Sequence, residues 1–149
     1  MSRKVSLYVS PPIERVLKVV DAGGENSAHS VSGRIADVCE RYMTIARESL
    51  PDLSMEEWHT CLDALNGVSL QPHSAKYVIV EIHDAMRLNN LHAKWGADPE
   101  VLSEKLSSMT TANLIALLEV AEQFWADTSL EVEHLLDRIA GRVKEHERS

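Results

Sequence analysis

The sequence predicts a mainly α-helical protein with one short strand near its N-terminus. Alternation of apolar and polar residues, the pattern of a half-buried strand, is confined to Lys4–Ser10. From Pro11 onward, apolar residues recur at helical spacing between capping residues, glycines and prolines. We therefore predict one strand and two helices over residues 1–50, followed by an all-helical module of about five helices over residues 51–149.

The predicted strand has one apolar and one polar face. The apolar face holds Val5, Leu7 and Val9. The polar face holds Lys4, Ser6 and Tyr8. One face is therefore expected to pack against the two helices that follow, while the other stays accessible.

The first helix is expected to begin after Ser10, because serine caps helices and proline suits the first helical turn. Gly23-Gly24 ends it. Ser30 or Ser32 can cap the second helix, which should stop near Leu50, before Pro51. Their apolar stripes are Ile13, Val16, Leu17 and Val20 in the first helix, and Ile35, Val38, Cys39, Tyr42, Met43 and Ala46 in the second.

Capping residues also define the helices of the second module. Ser54 and Glu57 form a capping box, and Asp98-Pro99 is a cap followed by a first-turn proline. The predicted starts are Ser54, Ser74, Asp98, Thr110 or Thr111, and Ser129, with the fourth helix of the chain reaching about Leu91 and the last reaching Val143.

The net charge of −8 is distributed unevenly. Residues 1–48 contain seven basic and six acidic residues, a balance of +1, and the remainder has a balance of −9. A polyanionic partner would therefore have to meet the N-terminal third of the chain.

An isolated strand exposes unpaired backbone N–H and C=O groups, and nothing else in the sequence reads as a strand to pair with it. We expect it to pair, antiparallel, with the same strand of a second copy about a two-fold axis. In that homodimer Val5, Leu7, Val9, Ile35, Val38 and Tyr42 would form the core. The polar faces of both strands would stand on the outside of a two-stranded ribbon, which fits the major groove of DNA.

The strand, the Ser10-Pro11 cap, the first apolar stripe and the run Ser30-Val31-Ser32-Gly33-Arg34-Ile35 resemble the ribbon-helix-helix DNA-binding proteins of the Arc and Met-repressor kind. The resemblance covers about residues 3–48. It implies that Lys4, Ser6 and Tyr8 contact bases. It also implies that Ser32, Gly33 and Arg34 hold a backbone phosphate, an anion that helix N-termini bind in general. Arg3 is expected to add phosphate attraction.

Other chemistry finds little support in the sequence. Cys39 and Cys61 fall on or beside apolar stripes and are interpreted as packed thiols. The histidines His59, His83 and His92 lack ligand spacing, so we predict no metal site and no cofactor. Glu56 and Glu57 are interpreted as first-turn charges. With no phosphate loop and no nucleophile motif, we predict no catalytic residues and no enzymatic activity.

The sequence thus predicts a homodimer, with higher-order assembly open, that binds double-stranded DNA sequence-specifically. It would act as a transcriptional regulator or as a DNA-binding accessory factor of a mobile element. The alternative is a dimeric interaction module, antitoxin-like or an adaptor, whose acidic helical domain binds a protein partner. No apolar run suits a membrane span, so we expect no membrane partner and a cytoplasmic location.

Overall fold

The structure, a computed structural model, describes residues 9–22, 30–67 and 75–142. Across these ranges the chain forms eight helices and no strand, so the prediction of a mainly helical protein is confirmed. Most of the predicted strand Lys4–Ser10 lies outside the described residues. Val9 and Ser10, which are described, belong to neither a helix nor a strand.

The chain divides into two compact units, Met1–Tyr42 and Met43–Ser149. The division falls within α2 (Val31–Glu48), so the first unit contains α1 (Pro11–Ala22) and the larger part of α2. The boundary predicted after residue 50 lies just beyond the end of that helix.

Both helices of the first unit begin where the sequence indicates. The carbonyl of Ser10 accepts the Glu14 amide at 2.9 Å, which closes the first turn of α1. Of the two serines predicted as possible caps of α2, Ser30 is the capping residue, because its Oγ accepts the Gly33 amide at 3.0 Å.

Beyond the end of α2, the described part of the second unit forms six helices, where about five were predicted. They are α3 (Met55–Ala64), α4 (Ala75–Asn89), α5 (Leu91–Trp95), α6 (Pro99–Ser108), α7 (Thr111–Ala126) and α8 (Val132–Ile139). The predicted helix to Leu91 ends two residues earlier, because Asn90 adopts the left-handed conformation with φ 52°. Asparagine tolerates that region better than most residues, and the short α5 follows it.

The later helices begin and end close to the residues that the sequence predicts, with small differences. Asp98 caps α6 by accepting the Glu100 and Val101 amides, and Thr110, not Thr111, caps α7. The last helix is shorter than predicted: α8 begins after Glu131 and ends at Ile139. Gly141, with φ 73°, follows that end, as glycine commonly does.

The core of the second unit is built from one apolar face of most of its helices. Leucine dominates, and several side chains are wholly inaccessible to solvent. These include Cys61 and Leu62 of α3, Ile82 of α4, Leu102 and Leu106 of α6, Leu117 and Val120 of α7, and Leu135 of α8.

Candidate nucleic-acid interface

The residues predicted to contact DNA bases lie outside the described part of the chain. This applies to Lys4, Ser6 and Tyr8, and equally to Arg3, Val5 and Leu7. Val9, the last apolar residue of the predicted strand, is described and is 48% exposed. The base contacts and the strand pairing therefore stay predictions.

The predicted phosphate contacts lie in the first turn of α2. The Gly33 amide donates to Ser30 Oγ at 3.0 Å, and the Arg34 amide donates to the Ser30 carbonyl at 2.8 Å. These two amides therefore already have partners within the chain. Ser32 is exposed, and its hydroxyl lies 3.5 Å from that of Ser30.

Gly33 leaves room for the capping hydroxyl of Ser30 in this first turn. A Cβ at Gly33 would lie 3.0 Å from Ser30 Oγ, closer than such atoms normally approach. A larger residue would push the capping hydroxyl aside and weaken the start of the helix. Gly33 thus serves the cap, and the bare backbone also allows a ligand to approach closely.

Arg34 connects the two helices of the first unit. Its Nε donates to the carbonyl of Val16 on α1 at 3.0 Å, and the side chain is half-buried. This bond crosses from α2 to the middle of α1 and fixes the start of one helix against the other. The sequence alone offers no local pattern that pairs Arg34 with a residue eighteen positions earlier.

Within the described residues of the first unit, the apolar stripes of α1 and α2 are incompletely covered. Ile13, Val16, Leu17 and Val20 of α1 are all half-buried, as are Ile35 and Val38 of α2. Tyr42 and Met43 are exposed at 38% and 36%. In the described part of the chain, Ala46 is the first apolar residue that is fully buried. Amphipathic helices normally cover such stripes against another element.

Two basic side chains that the sequence reading did not single out are exposed on α1. Arg15 and Lys18 are three residues apart, so they project from the same side of the helix. Their spacing between the apolar positions is the pattern that could have identified them.

In the second unit, Glu57 links two helices. Its Oε1 accepts the Ser54 amide at 2.8 Å and Lys105 Nζ at 2.6 Å, so the capping box of α3 is tied to α6. Burial raises the pKa of the Glu57 carboxyl, but the hydrogen bonds from Lys105 and Ser54 outweigh it and lower the pKa. The predicted capping box is confirmed, and Glu57 is more than a first-turn charge.

A second polar cluster joins α3 to α5. Asp63 Oδ2 accepts from Lys94 Nζ at 2.7 Å and from Trp95 Nε1 at 2.9 Å, and His59 stacks on the Trp95 ring. Burial raises the pKa of Asp63, but the bonds from Lys94 and Trp95 lower it further than burial raises it. Asp63, Lys94 and Trp95 are thus bonded to one another, so the cluster stabilises the fold.

The aromatic and thiol side chains divide between core and surface. Trp58 and Cys61 are buried, which for Cys61 agrees with its interpretation as a packed thiol. Phe124 packs against the core, whereas Trp125 is 37% exposed and donates from Nε1 to the Leu62 carbonyl at 2.9 Å.

The interpretation of Cys39 as a packed thiol is wrong for the single chain. Cys39 is exposed, because nothing in the described residues covers that side of α2.

A cleft in the second unit lies between the loop before α3 and one side of α8, and it has a volume of about 530 Å³. Its residues come from opposite ends of the unit's sequence, so no local motif could reveal it. They are Leu50, Pro51, Asp52, Leu53, Met55, Trp58, Glu133, Leu136, Asp137 and Arg142.

Two further observations restrict the kind of site. Within residues 9–22, 30–67 and 75–142, no three His, Cys, Asp or Glu side chains come together as a metal ion would require. In the same ranges, no helix has both the length and the apolar character needed to cross a membrane.

No protein-family model matches the chain. Comparison with curated proteins and with solved structures finds no match either. The function must therefore be inferred from the residues and their geometry.

Proposed function

We propose that this protein is a homodimer that binds double-stranded DNA sequence-specifically through its N-terminal unit, as a transcriptional regulator or an accessory factor of a mobile element. The observation that carries the proposal is the uncovered apolar surface of α1 and α2. Two helices with incompletely covered stripes directly follow a segment that alternates like a strand. A second copy covers these stripes and supplies the partner for the strand.

Dimer formation explains the exposure of particular side chains. Ile35 and Val38 are half-buried and Tyr42 is exposed, although they recur at the spacing of an inward-facing stripe. In the second unit, most residues of such stripes are buried, among them Leu62 of α3, Ile82 of α4 and Leu117 of α7. The N-terminal unit therefore gains its core from the partner copy.

The DNA contacts follow from the dimer. Pairing the strands places Lys4, Ser6 and Tyr8 of both copies on one face, where they read bases in the major groove. Arg3, Ser32 and Arg34 contact phosphates, with Gly33 allowing the backbone to approach, and the exposed Arg15 and Lys18 add to the positive surface. The balance of +1 over residues 1–48, against −9 in the remainder, directs DNA to this unit.

The test replaces Lys4, Ser6 and Tyr8 together with alanine. We expect sequence-specific retention of a selected DNA fragment to fall at least about a hundredfold, because each lost base contact removes about 1–3 kcal/mol. Sedimentation should still show the dimer. The matched control is Arg87→Ala, which also removes one positive charge but lies on α4. Unchanged retention by the triple variant, or equal loss in the control, contradicts the proposal.

A second candidate function is a dimeric interaction module, antitoxin-like or an adaptor. The observation that favours it is that the Gly33 and Arg34 amides are occupied within the chain, which leaves fewer donors for a phosphate. In this case the triple variant keeps both the dimer and its protein partner, and the wild-type protein selects no DNA sequence.

A further inference from the structure

The cleft between the loop before α3 and α8 has an apolar floor and an acidic rim. Trp58 and Leu136 lie at its base, and Leu53 and Met55 are half-buried along one wall. Three carboxylates line it, those of Asp52, Glu133 and Asp137, against the single guanidinium of Arg142. Its volume of about 530 Å³ is in the range of sites that hold a ligand group.

The loop wall of the cleft is held at both ends. The carbonyl of Ser49 accepts from Asn113 Nδ2 at 2.8 Å, which attaches the start of the loop to α7. Ser54 at the other end belongs to the capping box with Glu57. Both ends of the loop are thus held without a ligand, and Leu50 and Leu53 between them pack against the core, which lowers the entropy cost of binding.

The opposite wall presents charges at helical spacing. Glu133, Leu136 and Asp137 fall at i, i+3 and i+4 on α8, so two carboxylates flank an apolar side chain. Glu133 and Asp52 are exposed, whereas Asp137 is bonded by Arg142 Nε at 2.9 Å. That ion pair is largely solvent-exposed, with 64% of the arginine side chain accessible, and exposed pairs contribute little stability.

We propose that this cleft binds a cationic, amphipathic segment of a partner protein. Apolar side chains of the segment rest on Trp58 and Leu136, and its lysine or arginine side chains meet the carboxylates of Asp52 and Glu133. A further lysine or arginine of the segment replaces Arg142 in the ion pair with Asp137. In the unbound protein, Arg142 therefore occupies the position that this side chain of the partner takes in the complex. Charge complementarity selects this occupant, because three carboxylates and one guanidinium line the cleft, and an acidic or purely apolar segment would leave this excess negative charge uncompensated. The proposal goes beyond DNA binding and does not depend on it.

The probe is a synthetic amphipathic helix of about four turns, with leucines on one face and lysines and arginines on the other. Binding of the fluorescently labelled peptide to the full chain is measured by anisotropy. Asp52→Lys with Glu133→Lys should weaken binding by about tenfold or more. The control, Glu104→Lys with Glu122→Lys, changes the net charge equally on exposed positions outside the cleft and should change affinity by less than about threefold.

A gain of affinity provides a second test that misfolding cannot imitate. Arg142→Ala frees Asp137 and should tighten peptide binding by about threefold, since the competing internal cation is gone. The matched control is Arg87→Ala, which removes an exposed arginine paired with Asp84 at 3.4 Å on α4. That variant should bind the peptide more weakly than Arg142→Ala.

Several outcomes would overturn the proposal. Equal weakening by both lysine pairs would mean that the peptide responds only to net charge. Equal binding of a peptide with glutamate at every basic position would remove the charge argument. Dissociation of a wild-type oligomer by the Asp52 and Glu133 substitutions would make the occupant a second copy of the chain. The variant with alanine at Lys4, Ser6 and Tyr8 must bind the peptide normally, so failure of DNA binding is distinguishable from failure here.

Discussion

Replacing Glu57 with glutamine should destabilise the second unit although it changes only one oxygen atom to an amide nitrogen. Only 5% of the Glu57 side chain is exposed, and one oxygen accepts both Lys105 Nζ and the Ser54 amide. The amide oxygen of glutamine can still accept the Ser54 amide. The glutamine side chain has no negative charge, however, so the ion pair with Lys105 is lost. A hydrogen bond to a charged group contributes about 1.5–3 kcal/mol, and the partly exposed ammonium recovers part of this in water. We expect a loss of about 1–2 kcal/mol at pH 7.

The contribution of the Glu57–Lys105 pair to the free energy of unfolding depends on pH. Because the folded protein lowers the pKa of Glu57 below its ordinary value of 4.5, the carboxylate stabilises the fold above that value. This contribution is lost as the pH falls through the lowered pKa. The hydrogen bond to Glu57 also raises the pKa of Lys105, so the pair is lost again as the pH rises through that raised value. The difference between wild type and Glu57→Gln should therefore be largest near neutral pH and shrink on acidification.

Urea unfolding of both proteins, followed by circular dichroism from pH 7 down to pH 3, measures this difference. The control is Glu56→Gln, an exposed first-turn neighbour on α3, which should stay within about 0.5 kcal/mol of wild type. Equal unfolding midpoints for wild type and Glu57→Gln at pH 7 would refute the reasoning. So would a difference that grows as the pH falls.

Three further predictions concern the second unit. Leu117→Ala should cost about 2–5 kcal/mol in urea unfolding, because Leu117 is fully buried in the core; a loss below about 1 kcal/mol would contradict that placement. Burial raises the pKa of the Cys61 thiol to about 12, so iodoacetamide at pH 8 should leave it unmodified until urea unfolds the protein. Peptide mapping would measure this, and rapid modification of Cys61 in the folded protein would contradict the prediction. Gly96→Ala should lower stability by about 1 kcal/mol, since Gly96 has φ 80° at the end of α5, and an unchanged melting temperature would argue against this backbone geometry.

Local patterns predicted the helix starts well. Ser54 with Glu57, Asp98 with Pro99, and Thr110 each satisfy amide groups within three residues, so the sequence contains the whole interaction. Asn90 was harder to predict. Its left-handed conformation breaks an apolar pattern that continues to Leu91, and helical spacing alone does not indicate the break.

Long-range contacts were beyond the sequence. Lys105 meets Glu57 across 48 positions, and Asp63 meets Trp95 across 32, with nothing local to pair them. The same holds for the acidic cleft, whose walls come from residues 50–58 and from α8 and the residue 142 that follows it. The exposure of Cys39 reflects a similar limit, because a stripe on a helix indicates which side is apolar but not whether the same chain covers it.

Selection of bound fragments from a random pool of double-stranded DNA tests the central proposal most directly. The full chain should enrich a short inverted repeat, because a two-fold symmetric dimer presents the same contacts to two half-sites. The variant with alanine at Lys4, Ser6 and Tyr8 should enrich none. A pool that stays random with the wild-type protein, an enriched site without two-fold symmetry, or the same site enriched by the variant would contradict it.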